Sequence, residues 1–292
     1  MILNSRELKK LLEQHYNISV KSIEQGKGYN LNSKNYLITS LDNKKYYLKK
    51  QDYSSKTINQ IKAMDFCCIN KKLKLPSIIS TKEDKCFFTD KDMLFLLTKF
   101  YDGKHCSFTD KEIYSAGKEL VILNKHLKDI GIEIKRDKRY DNLTEEEINI
   151  IRQKTKDKNV LLICDKLQNL YDEFPEDNDK QLVHFDYNIN NVLFKDGNVD
   201  VILDCGSIVT SSLTQSIAFG CDRFSWNKKN MMTFLRGCIM GGFDENKIDM
   251  IPQYIVKEAT QRINYILRTD EWLFDINKQL KTIKRMGGLK WI

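Results

Sequence analysis

Apolar positions are spaced at strand period in the N-terminal part of the chain and at helical period after it. Leu8, Leu11 and Leu12 share one face of a helix predicted over residues 5 to 16. Short β-branched and aromatic runs follow at Val20 to Ile23, Asn35 to Thr39 and Lys45 to Lys50, the last two joined across an Asp42-Asn43 turn. A helix is expected over roughly Lys56 to Lys71, then strands at about Cys86 to Thr89 and Met93 to Thr98. Together these elements predict a small antiparallel sheet with two helices.

Helical signals dominate beyond residue 108. Thr109-Asp110-Lys111-Glu112 has the order of a capping box, with Phe108 and Ile113 placed as its hydrophobic staple. Ile113, Ala116, Leu120, Leu123, Leu127 and Ile130 then recur at helical spacing, which predicts a long core helix with His126 on its surface. Residues 135 to 142 read as a charged linker, Thr144 with Glu147 repeats the capping pattern, and Leu161 to Phe174 supplies another helix. Residues 207 to 214 lack periodicity, and a helix is expected to start near Ser216, with Ser216 as its cap and Asp222 solvated. The rest reads as helix, Gly-rich turn, helix.

One stretch interrupts the helical part. Leu182 to Gly206, LVHFDYNINNVLFKDGNVDVILDCG, reads as a strand ending at His184, a polar loop, a strand over Val192 to Phe194, a turn at Lys195 to Asn198 and a strand over Val199 to Leu203. Asp196-Gly197 and Asn198 accept the backbone angles of a tight reversal. Such a hairpin is expected to bring Asp186, Asn191 and Asp204 to neighbouring strand ends. Two carboxylates and an amide are hard oxygen donors, the ligand type that a divalent cation serving phosphoryl transfer requires. Near the N-terminus, Gly26 and Gly28 lie in the turn Gln25 to Asn30, where glycine lets backbone N–H groups approach phosphate oxygens.

Composition narrows the class further. The 292 residues are 41% hydrophobic and 30% charged, enough for a substantial core. No apolar run of about 18 residues occurs, so no membrane span is expected, and the polar amphipathic start MILNSRELKKLLEQ argues for a cytoplasmic protein. The net charge of +8 comes from lysines spread along the whole chain among 40 acidic residues, which describes a solvated surface and gives no sign of a nucleic-acid partner. Eight cysteines lie scattered without a C-x-x-C pair, as expected of reduced thiols.

His184, Asp186 and Asn191 fill the pattern H-x-D-x-x-x-x-N, and Asp204-Cys205-Gly206 supplies an Asp-x-Gly 18 residues after Asp186. This pair of motifs, with apolar strands between them, resembles the aminoglycoside phosphotransferase and choline kinase-like superfamily, including its homoserine kinase-like and spore-coat kinase-like members. Phe95 to Gly103, FLLTKFYDG, is similar to the crossing from sheet lobe to helical lobe in that superfamily. The departures are Phe185 in place of Gly, Asn188 in place of a frequent His, and Cys205 in place of an aromatic residue.

The resemblance implies an α+β, two-lobed protein-kinase-like fold, with a nucleotide-binding sheet lobe over residues 1–98 and a mainly helical lobe over 99–292. It implies a phosphotransferase that moves the γ-phosphate of ATP, with GTP left open, to a hydroxyl of a small molecule with the help of Mg²⁺. Asp186 is then the catalytic base, Asn191 and Asp204 are the metal ligands, and Lys49 steadies the phosphates, Lys50 being the alternative. Gly26 and Gly28 would lie at the phosphates, and backbone groups of Lys99, Phe100 and Tyr101 would meet the adenine. The helix after Lys49 carries Gln60 and Asp65 where the superfamily has a Glu that pairs with the lysine. Two alternatives stay open at this point: a spore-coat-type kinase-like protein with a structural or protein-directed role, and a pseudokinase that binds nucleotide without turnover. The identity of the acceptor and the oligomeric state are not readable from the sequence.

Overall fold

Asn4 caps the first helix by accepting the Glu7 N–H, while the Glu7 carboxylate accepts the Asn4 N–H in return. Below it, the alternating faces of the strands supply a surface for Leu8 and Leu12. The computed structural model describes residues 4–26, 34–69, 73–172, 174, 179–269 and 274–286. Along the chain the elements are α1 (Ser5–His15), β1 (Val20–Gln25), β2 (Lys34–Ser40), β3 (Lys45–Asp52), α2 (Ser55–Ile69), β4 (Phe87–Asp90), β5 (Met93–Lys99), α3 (Asp110–Leu127), α4 (Glu145–Lys154) and α5 (Lys158–Asp172). They continue with β6 (Lys180–His184), β7 (Val192–Lys195), β8 (Asn198–Ile202), β9 (Ile208–Ser212), α6 (Leu213–Phe224), α7 (Lys228–Met240), α8 (Ile251–Thr269) and α9 (Phe274–Arg285). No described helix is long and apolar enough to cross a membrane.

Two compact units result, the first Met1–Cys106 with Asn190–Ile208, the second Ser107–Ile189 with Val209–Ile292. In the first unit β1 to β5 form an antiparallel sheet in the order β1-β2-β3-β5-β4. Leu8 and Leu12 of α1 pack there on Ile38, Leu48, Phe95 and Leu97, all buried. The hairpin β7–β8 belongs to this unit, reversing through Asp196 at φ 52° and Gly197 at φ 75° as the Asp-Gly signal predicts. Its Phe194 exchanges backbone hydrogen bonds with Lys104.

The second unit is helical around the two-stranded pair β6–β9. Ile148, Leu167, Ile263 and Ile283 join α4, α5, α8 and α9 in one core. Helices α3 and α7 cross at two glycines. A Cβ on Gly117 would stand 2.1 Å from the Phe234 carbonyl oxygen, and one on Gly237 would stand 2.0 Å from that of Tyr114. Gly117→Ala gains about 1 kcal/mol of helix propensity, but overpacking against rigid backbone costs roughly 1–3 kcal/mol or more. The clash wins, and urea unfolding of Gly117→Ala is expected to show a lower midpoint at an unchanged slope.

The capping boxes at Thr109 and Thr144 are present as expected. The ring of Phe108, a residue at φ 61°, lies against Trp226 at 4.0 Å. Three other expectations are corrected. Residues 208–212 form β9, which pairs with β6. Ser212 caps α6 through the Gln215 N–H, while Ser216 is fully buried inside the helix. Asp222 is held in ion pairs with Arg223 and Arg285 and is not solvated.

Candidate active site

In the first unit the alternation of β3 turns Leu48 and Lys50 to one face and Lys49 to the other. Lys50 is 6% exposed, with its ammonium over the Phe95 ring. Lys49 reaches the end of β8, where its Nζ lies 2.5 Å from Asp204 Oδ1. The side chains of this pair are 22% and 37% exposed, so the charges remain accessible to a ligand.

The loop carrying Asp204 is fixed by backbone bonds. The Leu203 N–H donates to the Asn191 carbonyl at 2.6 Å, which sets Asn191 at the start of β7 beside Asp204 at the end of β8. Asp204 takes φ 56°, and the Ser207 N–H closes the turn on its carbonyl at 3.1 Å. A Cβ on Gly206 would fall 2.9 Å from Lys49 Nζ and 3.1 Å from Asp204 Oδ1, so a side chain there would crowd the ion pair.

Helix α2 contributes Gln60 to this loop. Its amide donates to the carbonyls of Gly206 at 2.5 Å and Ile208 at 3.0 Å. Gln60 thus clamps the Asp204 loop, and Lys49 pairs with Asp204 directly. Sequence reasoning noted Gln60 only as a departure, because neither acceptor is a side chain.

Of the remaining residues read from the sequence, Gly26 follows β1 and donates its N–H to the Asn35 carbonyl at 2.7 Å. Gly28 lies outside the described residues. At the end of β5 the Lys99 and Phe100 N–H groups are committed to the carbonyls of Ser77 and Lys45, at 2.9 and 3.2 Å. Tyr101 bonds Ser77 through its hydroxyl, and its N–H has no acceptor among the described residues.

Asp186 belongs to the second unit, in the loop after β6. The Asn188 amide donates to Asp186 Oδ1 at 2.8 Å and to the Asp186 carbonyl at 3.2 Å, fixing the carboxylate. Behind it the loop is tied down by buried groups. The His184 N–H donates to Asn124 Oδ1 at 2.9 Å, the Asn124 amide donates to Ser216 Oγ at 3.0 Å, and Ser216 Oγ donates to the His184 carbonyl at 2.9 Å. Tyr187, fully buried, donates its hydroxyl to the Ala116 carbonyl at 2.9 Å. A closed ring of satisfied hydrogen bonds in the interior makes a rigid support. Asn124 and Ser216 carried no readable signal for these roles, since their partners lie on other segments. The structure thus brings Lys49, Asn191 and Asp204 together in one unit and sets Asp186 on a braced loop of the other.

No protein-family model and no curated protein matches the sequence. Solved structures do match. The amicoumacin kinase hAmiN, in complex with AMP-PNP, Ca²⁺ and Ami, superposes with a TM-score of 0.72 at 13% identity, over 97% of this chain and 93% of that one. The spectinomycin phosphotransferase APH(9)-Ia, in complex with ADP and spectinomycin, gives 0.68 at 17% identity, over 99% and 95%. Choline kinase LicA from Streptococcus pneumoniae gives 0.60 at 13% identity, over 97% and 98%. With its antiparallel sheet and its helical remainder, the chain has the kinase-like fold that aminoglycoside phosphotransferases and choline kinase share.

Proposed function

We propose that the chain is a nucleotide-dependent phosphotransferase that moves the γ-phosphate of ATP to a hydroxyl of a small molecule. The observation that carries this reading is the cradle at the end of β8, where Asp204, Asn191, Lys49 and Gly206 meet. The similar structures bound to AMP-PNP or ADP support it.

One carboxylate and one amide fit Mg²⁺, which typically takes one or two protein carboxylates and completes its shell with water and phosphate oxygens. Asn191 and Asp204 would hold the ion, which when bound neutralises charge on the nucleotide phosphates. Lys49 would place a point charge on those phosphates, exchanging part of its bond to Asp204 for one to a phosphate oxygen. Tyr101 would offer its N–H to an adenine acceptor. Asp186 would orient the acceptor hydroxyl and receive its proton, with Asn188 fixing the carboxylate.

A second reading, nucleotide binding without turnover, is favoured by the absence of a carboxylate partner for Lys49 on α2. The test of the first reading is ADP release over a panel of amino-alcohols, sugars and antibiotics, with Asp186→Asn as blank. Release that depends on one acceptor class supports the kinase; ATP binding with no release over the whole panel supports the second reading.

Lys49 and Lys50 make a separate prediction. Lys49→Ala is expected to weaken ATP affinity about tenfold or more, the scale of one charge-assisted hydrogen bond of roughly 1.5–3 kcal/mol. Lys50→Ala should leave ATP affinity unchanged, because Lys50 faces the core. Isothermal titration with ATP checks both, and the reverse pattern would move the assignment by one residue.

A further inference from the structure

Three arginines from three segments of the second unit gather on two aromatic rings next to Asp186. The rings of Phe185 and Phe219 lie 5.8 Å apart. Arg136 sits over Phe185 at 4.0 Å, and Arg262 and Arg223 sit over Phe219 at 4.7 and 5.1 Å. Phe185 directly precedes Asp186, and the Asp186 charge acts on the Arg223 guanidinium.

The acids present do not satisfy this cluster. Glu258, buried to 4% exposure, accepts two hydrogen bonds from Arg136 at 2.9 and 3.1 Å and a third from the Gln215 amide at 3.2 Å. Arg262 reaches Glu258 through Nε at 3.4 Å, and that buried nitrogen has no hydrogen-bond partner among the described residues. Arg223 is 3.6 Å from Asp222, whose other oxygen is taken by Arg285. Neither Arg223 nor Arg262 hydrogen-bonds a described residue, although their side chains are only 16% and 29% exposed.

Half-buried guanidiniums in this state are unusual, because donors taken from water are nearly always bonded. Burial, and then repulsion from Arg262, lower the affinity of Arg223 for its own proton, so the two cations strain against each other. A guanidinium presents a planar fork that matches the two oxygens of a carboxylate or phosphate. An ammonium ligand would meet like charge at the same place.

We propose that the hydroxyl-bearing substrate of this chain carries an anionic group, a carboxylate or a phosphate, and that Arg223 and Arg262 bind it beside Asp186. The inference rests on the phosphotransferase reading for the hydroxyl and adds the charge class of the acceptor.

The test uses one scaffold in four charge states. Glucuronate, glucose phosphate, glucose and glucosamine are titrated calorimetrically into the full chain at low salt. The anions are expected to bind at least tenfold more tightly than glucosamine, the carboxylate and phosphate arms identifying the preferred group. Arg223→Gln with Arg262→Gln should erase the gap. If that double variant fails to fold, Arg223→Lys and Arg262→Lys replace it. These keep the charge but lose the fork, and each should weaken anion binding several-fold. Equal affinities, tighter glucosamine binding, no saturable binding of either anion, or a preference that survives the substitutions would overturn the proposal. Thermal stabilisation by ATP with Mg²⁺ is measured on the same samples. Its absence with the anion preference intact would sink the kinase reading alone; its presence without an anion preference would sink this inference alone.

Discussion

Asp186→Asn is expected to lower phosphoryl transfer about 10² to 10⁴-fold, the usual contribution of a positioned base, while ATP affinity stays near wild type. That loss corresponds to roughly 3–5.5 kcal/mol of barrier at about 1.36 kcal/mol per decade. The split between turnover and binding follows from where Asp186 stands. Its carboxylate is held by Asn188 at 2.8 Å on a loop anchored to Asn124, Ser216 and Ala116. The substituted amide can keep an oxygen toward Asn188, so the loop keeps its shape and only basicity and charge are lost. Steady-state turnover and calorimetric ATP affinity on one preparation check this. Wild-type turnover in the variant would remove Asp186 from the chemistry.

Asp204→Ala is expected to abolish the stabilisation by ATP with Mg²⁺. Saturating ligand at about a hundredfold over its Kd raises stability by roughly 2.7 kcal/mol, which a thermal melt resolves as several degrees. The variant should lose that shift and still fold. Gln60 holds the loop through the Gly206 and Ile208 carbonyls, independently of the Asp204 side chain. Lys49 loses a partner but is accessible enough to be hydrated. A shift of wild-type size in Asp204→Ala would contradict the metal site.

Much of the fold was legible because local chemistry and tertiary structure agree. Asp196-Gly197 adopts the left-handed angles its composition favours, and the boxes at Thr109 and Thr144 close as written. The pairing of Lys49 with Asp204 across 155 residues became visible only in the structure, although strand alternation already separated Lys49 from Lys50. Strand β9 was missed because its last three residues, Thr210 to Ser212, are polar, and Ser211 and Ser212 are buried through small size and hydrogen bonding. The start of α6 was misplaced for a related reason: two serines four residues apart both suit a cap, and burial decided between them. The clamp made by Gln60 and the arginines around Phe185 and Phe219 escaped notice because their partners come from distant segments, which no local pattern encodes.

The most direct measurement of the central claim is transfer of labelled γ-phosphate from ATP to an acceptor hydroxyl, followed by mass spectrometry of the product. Wild-type protein is expected to yield a phosphorylated small molecule, and Asp186→Asn and Asp204→Ala almost none under the same conditions. Label that appears only as free phosphate, or product formed equally by all three proteins, would contradict the assignment of this chain as a small-molecule phosphotransferase.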